Sequence, residues 1–134
     1  MSKAYDILNE LKMLTPYIQS LEDEREQLRA SLLTSPKISD MKVAGGIKRN
    51  VDDSYISMLG IDEELEAALK RKRELTGLLK QLPHEEGLVL RMAFINRYSE
   101  YEIRDRLRIG RNRYYQLKKG GIKMLDEILL GGTN

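Results

Sequence analysis

The sequence has no cysteine, no tryptophan, one phenylalanine, one histidine and three prolines. Without cysteine there are no disulfides and no thiolate metal sites, which leans towards the cytosol without deciding the compartment. The one histidine, His84, stands beside a helix start. No Asp/Glu/His pattern suits a metal, and no serine or threonine has a histidine partner that would make it a nucleophile. The chain therefore reads as a non-enzyme, with no metal and no cofactor. No apolar run approaches the roughly 18 residues of a membrane span. The opening MSKAYDILNE lacks the apolar core of a signal peptide. A soluble, intracellular protein with no membrane partner is expected.

What is abundant is charge, at 33% of residues against 41% apolar. That balance, with few prolines, suits a helical and partly elongated chain. The net charge of +2 is unevenly spread: residues 1–33 carry four basic and six acidic side chains, residues 99–134 eight basic and five acidic. A basic C-terminal part on an acidic N-terminal one points to a polyanion at one end.

From Ala4 to Leu33 the residues Ile7, Leu11, Leu14, Ile18, Leu21, Arg25, Leu28 and Leu32 step by fours and threes, a heptad seam with one polar position, Arg25. Pro16 lies inside it, and a kinked helix is expected because the seam keeps its phase. Thr34 to Asp53 holds Pro36, Gly45-Gly46 and scattered charge without a period, and reads as a mobile connector. Gly45-Gly46 is no phosphate loop, since no Gly-Lys-Ser/Thr follows. Ser54 to Leu82 forms a second heptad helix through Ile61, Leu65, Ala68, Lys72, Leu75, Leu79 and Leu82. Two such helices joined by a loop most simply make a long antiparallel hairpin, which can also serve as a dimerising coiled coil. Arg25 and Lys72, in the seam, then want carboxylates nearby. Residues 1–82 are thus read as a helical hairpin with a mobile loop at 34–53.

Pro83 ends that part. His84-Glu85-Glu86 starts a helix continuing to Arg97, with acids in the first turn where the helix dipole favours them. Ser99 and Glu102 have the spacing of a capping box. Ile103 and Leu107 share one face of the short helix that follows. Arg108-Ile109-Gly110 breaks the pattern, and Tyr114, Leu117, Gly121, Leu125 and Ile128 then recur at helical spacing. A short helix, a turn and a basic second helix make a helix-turn-helix, whose second helix can enter a DNA major groove. Residues 83–130 are read as this DNA-binding domain and 131–134 as a frayed tail. The fold class is all-α: hairpin, then helix-turn-helix.

Leu88 to Leu125 resembles the DNA-binding region four of bacterial sigma factors. The matching residues are Arg97-Tyr98, Glu102-Ile103, Leu107, Ile109, Tyr114, Leu117 and Leu125. The whole chain is also similar to the ArpU and RinA type late-gene transcription regulators of phages of Gram-positive bacteria, which join a helical N-terminal part to a sigma-like helix-turn-helix. The resemblance implies a sequence-specific transcription regulator of phage or prophage late or packaging genes. It would act in the cytoplasm of a bacterial host cell, with host RNA polymerase as a possible further partner. This chain departs from the sigma pattern at Arg104, where a small residue is usual, and at Arg108, where the turn usually has glycine. Gly110 stands at the cap, and Gly120-Gly121 lies inside the second helix, which is expected to break there.

With Tyr114 and Leu117 turned inward, Arg111, Asn112, Tyr115 and Gln116 face outward early in the second helix. Arginine suits guanine, and asparagine or glutamine suits adenine. These four are the expected base contacts. Arg104, Arg106, Arg113, Lys118, Lys119 and Lys123 are the expected phosphate contacts. A homodimer paired through the hairpin would favour paired half-sites on double-stranded DNA. Two other readings stay open. A ring-forming phage small terminase subunit would recognise packaging-site DNA. A protein-binding module would dock its sigma-like part on RNA polymerase in place of DNA.

Overall fold

A computed structural model of the chain describes residues 2–33 and 44–131. Every regular element among them is an α-helix: α1 (Lys3–Leu33), α2 (Ala44–Leu79), α3 (His84–Phe94), α4 (Glu100–Leu107) and α5 (Arg111–Leu129). None of these helices is long and apolar enough to cross a membrane. α1 runs through Pro16 as one helix. The second helix begins at Ala44, ten residues before the Ser54 start read from the sequence, so the second half of the supposed connector is helical. The first half, 34–43, lies outside the described residues. The glycines at 45 and 46 lower helix propensity and hid this start from a reading by pattern. α2 also stops short, at Leu79, where the Gln81 N–H turns back to the Leu78 carbonyl and the Leu82 N–H to the Leu79 carbonyl.

The chain divides into two compact units, Met1–Thr15 with Arg71–Asn134, and Pro16–Lys70. The boundary read from the sequence, at Leu82 and Pro83, falls inside the first of these units.

Among the described residues of Pro16–Lys70, the buried ones are Ile18, Leu21, Ile61 and Ala68, all seam positions. Polar links flank them. Arg25 Nε donates to Asp62 Oδ1 at 2.6 Å, which supplies the carboxylate expected for this seam arginine. Tyr17 donates its phenol to Glu64 Oε2 at 2.9 Å. Both partners in the Arg25 pair are over 40% exposed, so it contributes well under about 1 kcal/mol.

Within the other unit, α1 buries Ala4, Leu8, Leu11 and Leu14, and α2 contributes Leu75 and Leu79, with Leu82 just beyond. Ile7, the first seam residue assigned from the heptad, is only half-buried, and Leu8 takes its place with no exposure. Arg71 grips Glu10 with two donors, Nε at 2.6 Å and Nη2 at 2.9 Å, and this hydrogen bonding holds the Glu10 carboxyl below its ordinary range. α3 packs on both α5 and α4. Val89, Ile103, Tyr114 and Leu117 form a shared core, edged by Met92, Ala93, Tyr98, Leu107 and Ile109. Full burial of each such side chain is worth about 1.5–3 kcal/mol.

Two closely approached glycines make that packing possible. A Cβ on Gly87 would lie 3.1 Å from the Leu79 carbonyl oxygen. One on Gly121 would meet Leu90 at 3.0 and 3.2 Å. α5 is continuous through Gly120-Gly121, so the expected break is absent. Tertiary contact compensates for the low helix propensity: Gly121 lets α5 settle against Leu90 of α3, and Leu117 and Leu125 hold the helix on either side.

Candidate nucleic-acid interface

The candidate surface is built from α4, the turn Arg108-Ile109-Gly110, and α5. α4 starts on the capping box expected from the sequence. The Glu102 N–H donates to Ser99 Oγ at 3.2 Å, and the Ser99 N–H donates to Glu102 Oε1 at 3.1 Å. It ends with Arg108 in the left-handed region at φ 55° and ψ 49°. The Arg108 and Ile109 N–H groups both donate to the Arg104 carbonyl, a Schellman-type closure of the kind glycine usually makes. A second arginine, Arg97, is also in the left-handed region after α3, at φ 60°. The reading that ran α3 on to Arg97 is corrected by this: the helix ends at Phe94, where the Asn96 N–H turns back to the Arg91 carbonyl and the Tyr98 N–H to the Met92 carbonyl.

α5 begins at Gly110, which caps without a side-chain bond, and its first turn holds no acid. The helix dipole there is uncompensated by its own sequence and favours an anion. Tyr114, Leu117, Gly121 and Leu125 form the buried side. Burial pushes the Tyr114 phenol above its ordinary pKa. The opposite side is exposed: Arg111, Asn112, Tyr115, Gln116, Lys119 and Lys123 all face solvent. At 100° per residue these six occupy one stripe. The structure therefore brings the four expected base contacts together with Lys119 and Lys123.

The remaining basic residues are more engaged. Arg113 donates to Glu85 Oε1 at 3.0 Å and to Gln116 Oε1 at 3.1 Å. The Arg106 guanidinium lies 4.3 Å from the centre of the Tyr98 ring. Lys118 is half-buried, with Nζ 5.8 Å from the centres of both Phe94 and Tyr114. Arg104 is half-buried, with Nη1 3.3 Å from Glu100 Oε2 and with a buried Nε that has no hydrogen-bond partner.

Glu100 is the residue that sequence reasoning missed. Its Oε1 accepts the Tyr115 hydroxyl at 2.7 Å, and its Oε2 lies 3.9 Å from Arg111 Nε. These partners, the Tyr115 hydrogen bond first, hold its carboxyl below the ordinary range. The spacing from Glu100 to Arg104 is a readable signal for an ion pair. The reach to Tyr115 is not, because it depends on how α4 crosses α5. Among the described residues no cluster of three or more His, Asp or Glu side chains is placed to hold a metal ion.

Residues 32–126 match the family model DUF1492, described as a protein of unknown function. The chain belongs to the DUF1492 family. The DUF1492 segment contains all of α2, α3 and α4, and α5 up to Asp126. The exposed stripe of α5 thus lies wholly inside it, while most of α1 precedes it. No curated protein and no solved structure matches the chain.

Proposed function

We propose that this DUF1492 chain binds double-stranded DNA through α5 and regulates transcription of phage or prophage late or packaging genes. In this reading α4, the turn and α5 form a helix-turn-helix, and α5 enters the major groove by its first two turns. The observation that carries it is the stripe Arg111, Asn112, Tyr115, Gln116, Lys119 and Lys123, exposed along a helix whose other side is locked into a core. Such a stripe offers donors suited to guanine and adenine edges beside two cations for phosphates. The helix N-terminus adds partial positive charge where the backbone of DNA would pass.

The regulatory role rests on the resemblance to the ArpU and RinA type regulators, with host RNA polymerase as a further partner. α1 and α2 act as an antiparallel hairpin that pairs two copies and spaces two readers. Selection of duplexes from a randomised pool, followed by binding titrations at stated salt, tests the DNA reading. An enriched motif with salt-dependent affinity is expected. Equal retention of all duplexes would shift weight to docking on RNA polymerase. The mass in solution separates the remaining alternative: a dimer is expected, and a large ring would favour the packaging reading.

A further inference from the structure

We propose that Glu100 is a positioning residue that sets the base preference of α5 by holding Arg111 and Tyr115 in one arrangement. This rests on the DNA-binding reading and deepens it. Glu100 is the first residue of α4, directly after the cap. The capping box is completed by Glu102, which leaves the Glu100 carboxylate free to turn towards α5. One oxygen takes the Tyr115 hydroxyl at 2.7 Å. The other is shared between Arg104 Nη1 at 3.3 Å and Arg111 Nε at 3.9 Å.

Two of these partners also touch each other. The Arg111 guanidinium lies 5.6 Å from the centre of the Tyr115 ring. That ring stands edge-on to Tyr114, with centroids 5.1 Å apart and planes at 75°. Tyr114 is 3% exposed, so the chain of contacts ends in the core. Arg111 is by contrast 70% exposed in its side chain, so its rotamer depends on contacts such as the Tyr115 ring and Glu100. A carboxylate on the Nε side leaves Nη1 and Nη2 pointing outward, the fork that reads guanine O6 and N7.

Affinity alone would not favour this carboxylate. A negative charge on a DNA-facing surface opposes phosphate binding to every sequence alike. Its contribution is to discrimination: fixed donors lose less freedom on meeting the right base and adapt less well to the wrong one.

The test compares wild type, Glu100→Ala, Glu100→Gln and Tyr115→Phe by titration against the selected duplex and a scrambled duplex. The readout is the ratio of the two affinities, with melting temperature followed alongside. For Glu100→Ala that ratio should fall by about five-fold or more, the lower end of one bidentate base contact. Binding to the scrambled duplex should tighten, because one repulsive charge is gone, which a merely damaged fold would not produce. Glu100→Gln, which can still accept the Tyr115 hydroxyl, should lose less discrimination, and it keeps the test open if the alanine variant does not fold. Adding Tyr115→Phe to Glu100→Ala should cost little more than Glu100→Ala alone. A ratio unchanged in both Glu100 variants, with wild type still selective, would overturn this inference and leave the DNA reading intact. A wild type with no preference at all would overturn both.

Discussion

The Asp126 carboxylate, near the end of α5, accepts the backbone N–H of Ala4 at 2.8 Å, from a residue 122 positions away. The Ser2 hydroxyl reaches the same group, 2.9 Å from Oδ1 and 2.7 Å from Oδ2. A side chain of the last helix thus caps the first, satisfying a donor that α1 cannot satisfy itself. Asp126→Ala should lower the melting temperature by several degrees and speed amide exchange at Ala4, while Asp126→Asn, an equally good cap type, should recover part of the loss. The Ala4 hydrogen bond, then that of Ser2, holds the Asp126 pKa below its ordinary value. The folded value lies below the unfolded one near about 3.9, so this stabilisation is complete above the unfolded value and is lost as pH falls through the folded one. Melts of wild type and Asp126→Ala should therefore converge in acid. A gap that stays constant to low pH would refute the cap.

Arg108 adopts a conformation that costs a non-glycine residue about 1–2 kcal/mol. Glycine there removes the strain and gives part of it back as chain freedom in the unfolded state. Arg108→Gly should therefore exceed Arg108→Ala in stability by about 1 kcal/mol in urea unfolding. Equal stabilities would show that the turn relaxes away from the left-handed region in solution.

Adjacent glycines in α5 should respond with opposite signs. A Cβ at Gly120 would meet only Glu86 Cγ, at 3.9 Å. Gly120→Ala should therefore gain about 0.5–1 kcal/mol of helix stability. At Gly121 the same Cβ presses on Leu90, which is fully buried and cannot swing aside. Overpacking of this kind costs about 1–3 kcal/mol, enough to outweigh the propensity gain. Denaturant midpoints of the two variants, measured with unchanged slope, decide it.

Side chains on the exposed stripe should separate by role. Arg111→Ala is expected to relax sequence preference, with the larger loss on the selected duplex. Lys119→Ala should weaken binding to all duplexes and reduce the slope of log affinity against log salt by about one. Identical losses on selected and scrambled duplexes for both variants would refute this division.

Much of the framework is written locally and could be read from the chain. The buried positions Leu11, Leu14, Ile18 and Leu21 in α1, and Ile61, Ala68, Leu75 and Leu79 in α2, follow the heptad. The Ser99 and Glu102 box lies within four residues, and the alternation of Tyr114 and Leu117 with Arg111, Asn112, Tyr115 and Gln116 needs only the helical period. Periodicity and capping are short-range, so a sequence by itself determines which helices form and which side of each is apolar, though not where α2 starts.

What lay beyond reach involves residues that meet only after the helices pack. Asp126 finds Ala4, Glu100 finds Tyr115, and Gly121 finds Leu90. The Leu90 contact carries α5 past two glycines that local propensity alone would read as a break. The first ties the opening turns of α1 to α5, and the second ties the Tyr115 hydroxyl to the start of α4. These depend on interhelical distance and crossing, which no spacing along the chain encodes, and so only the tertiary structure decided them.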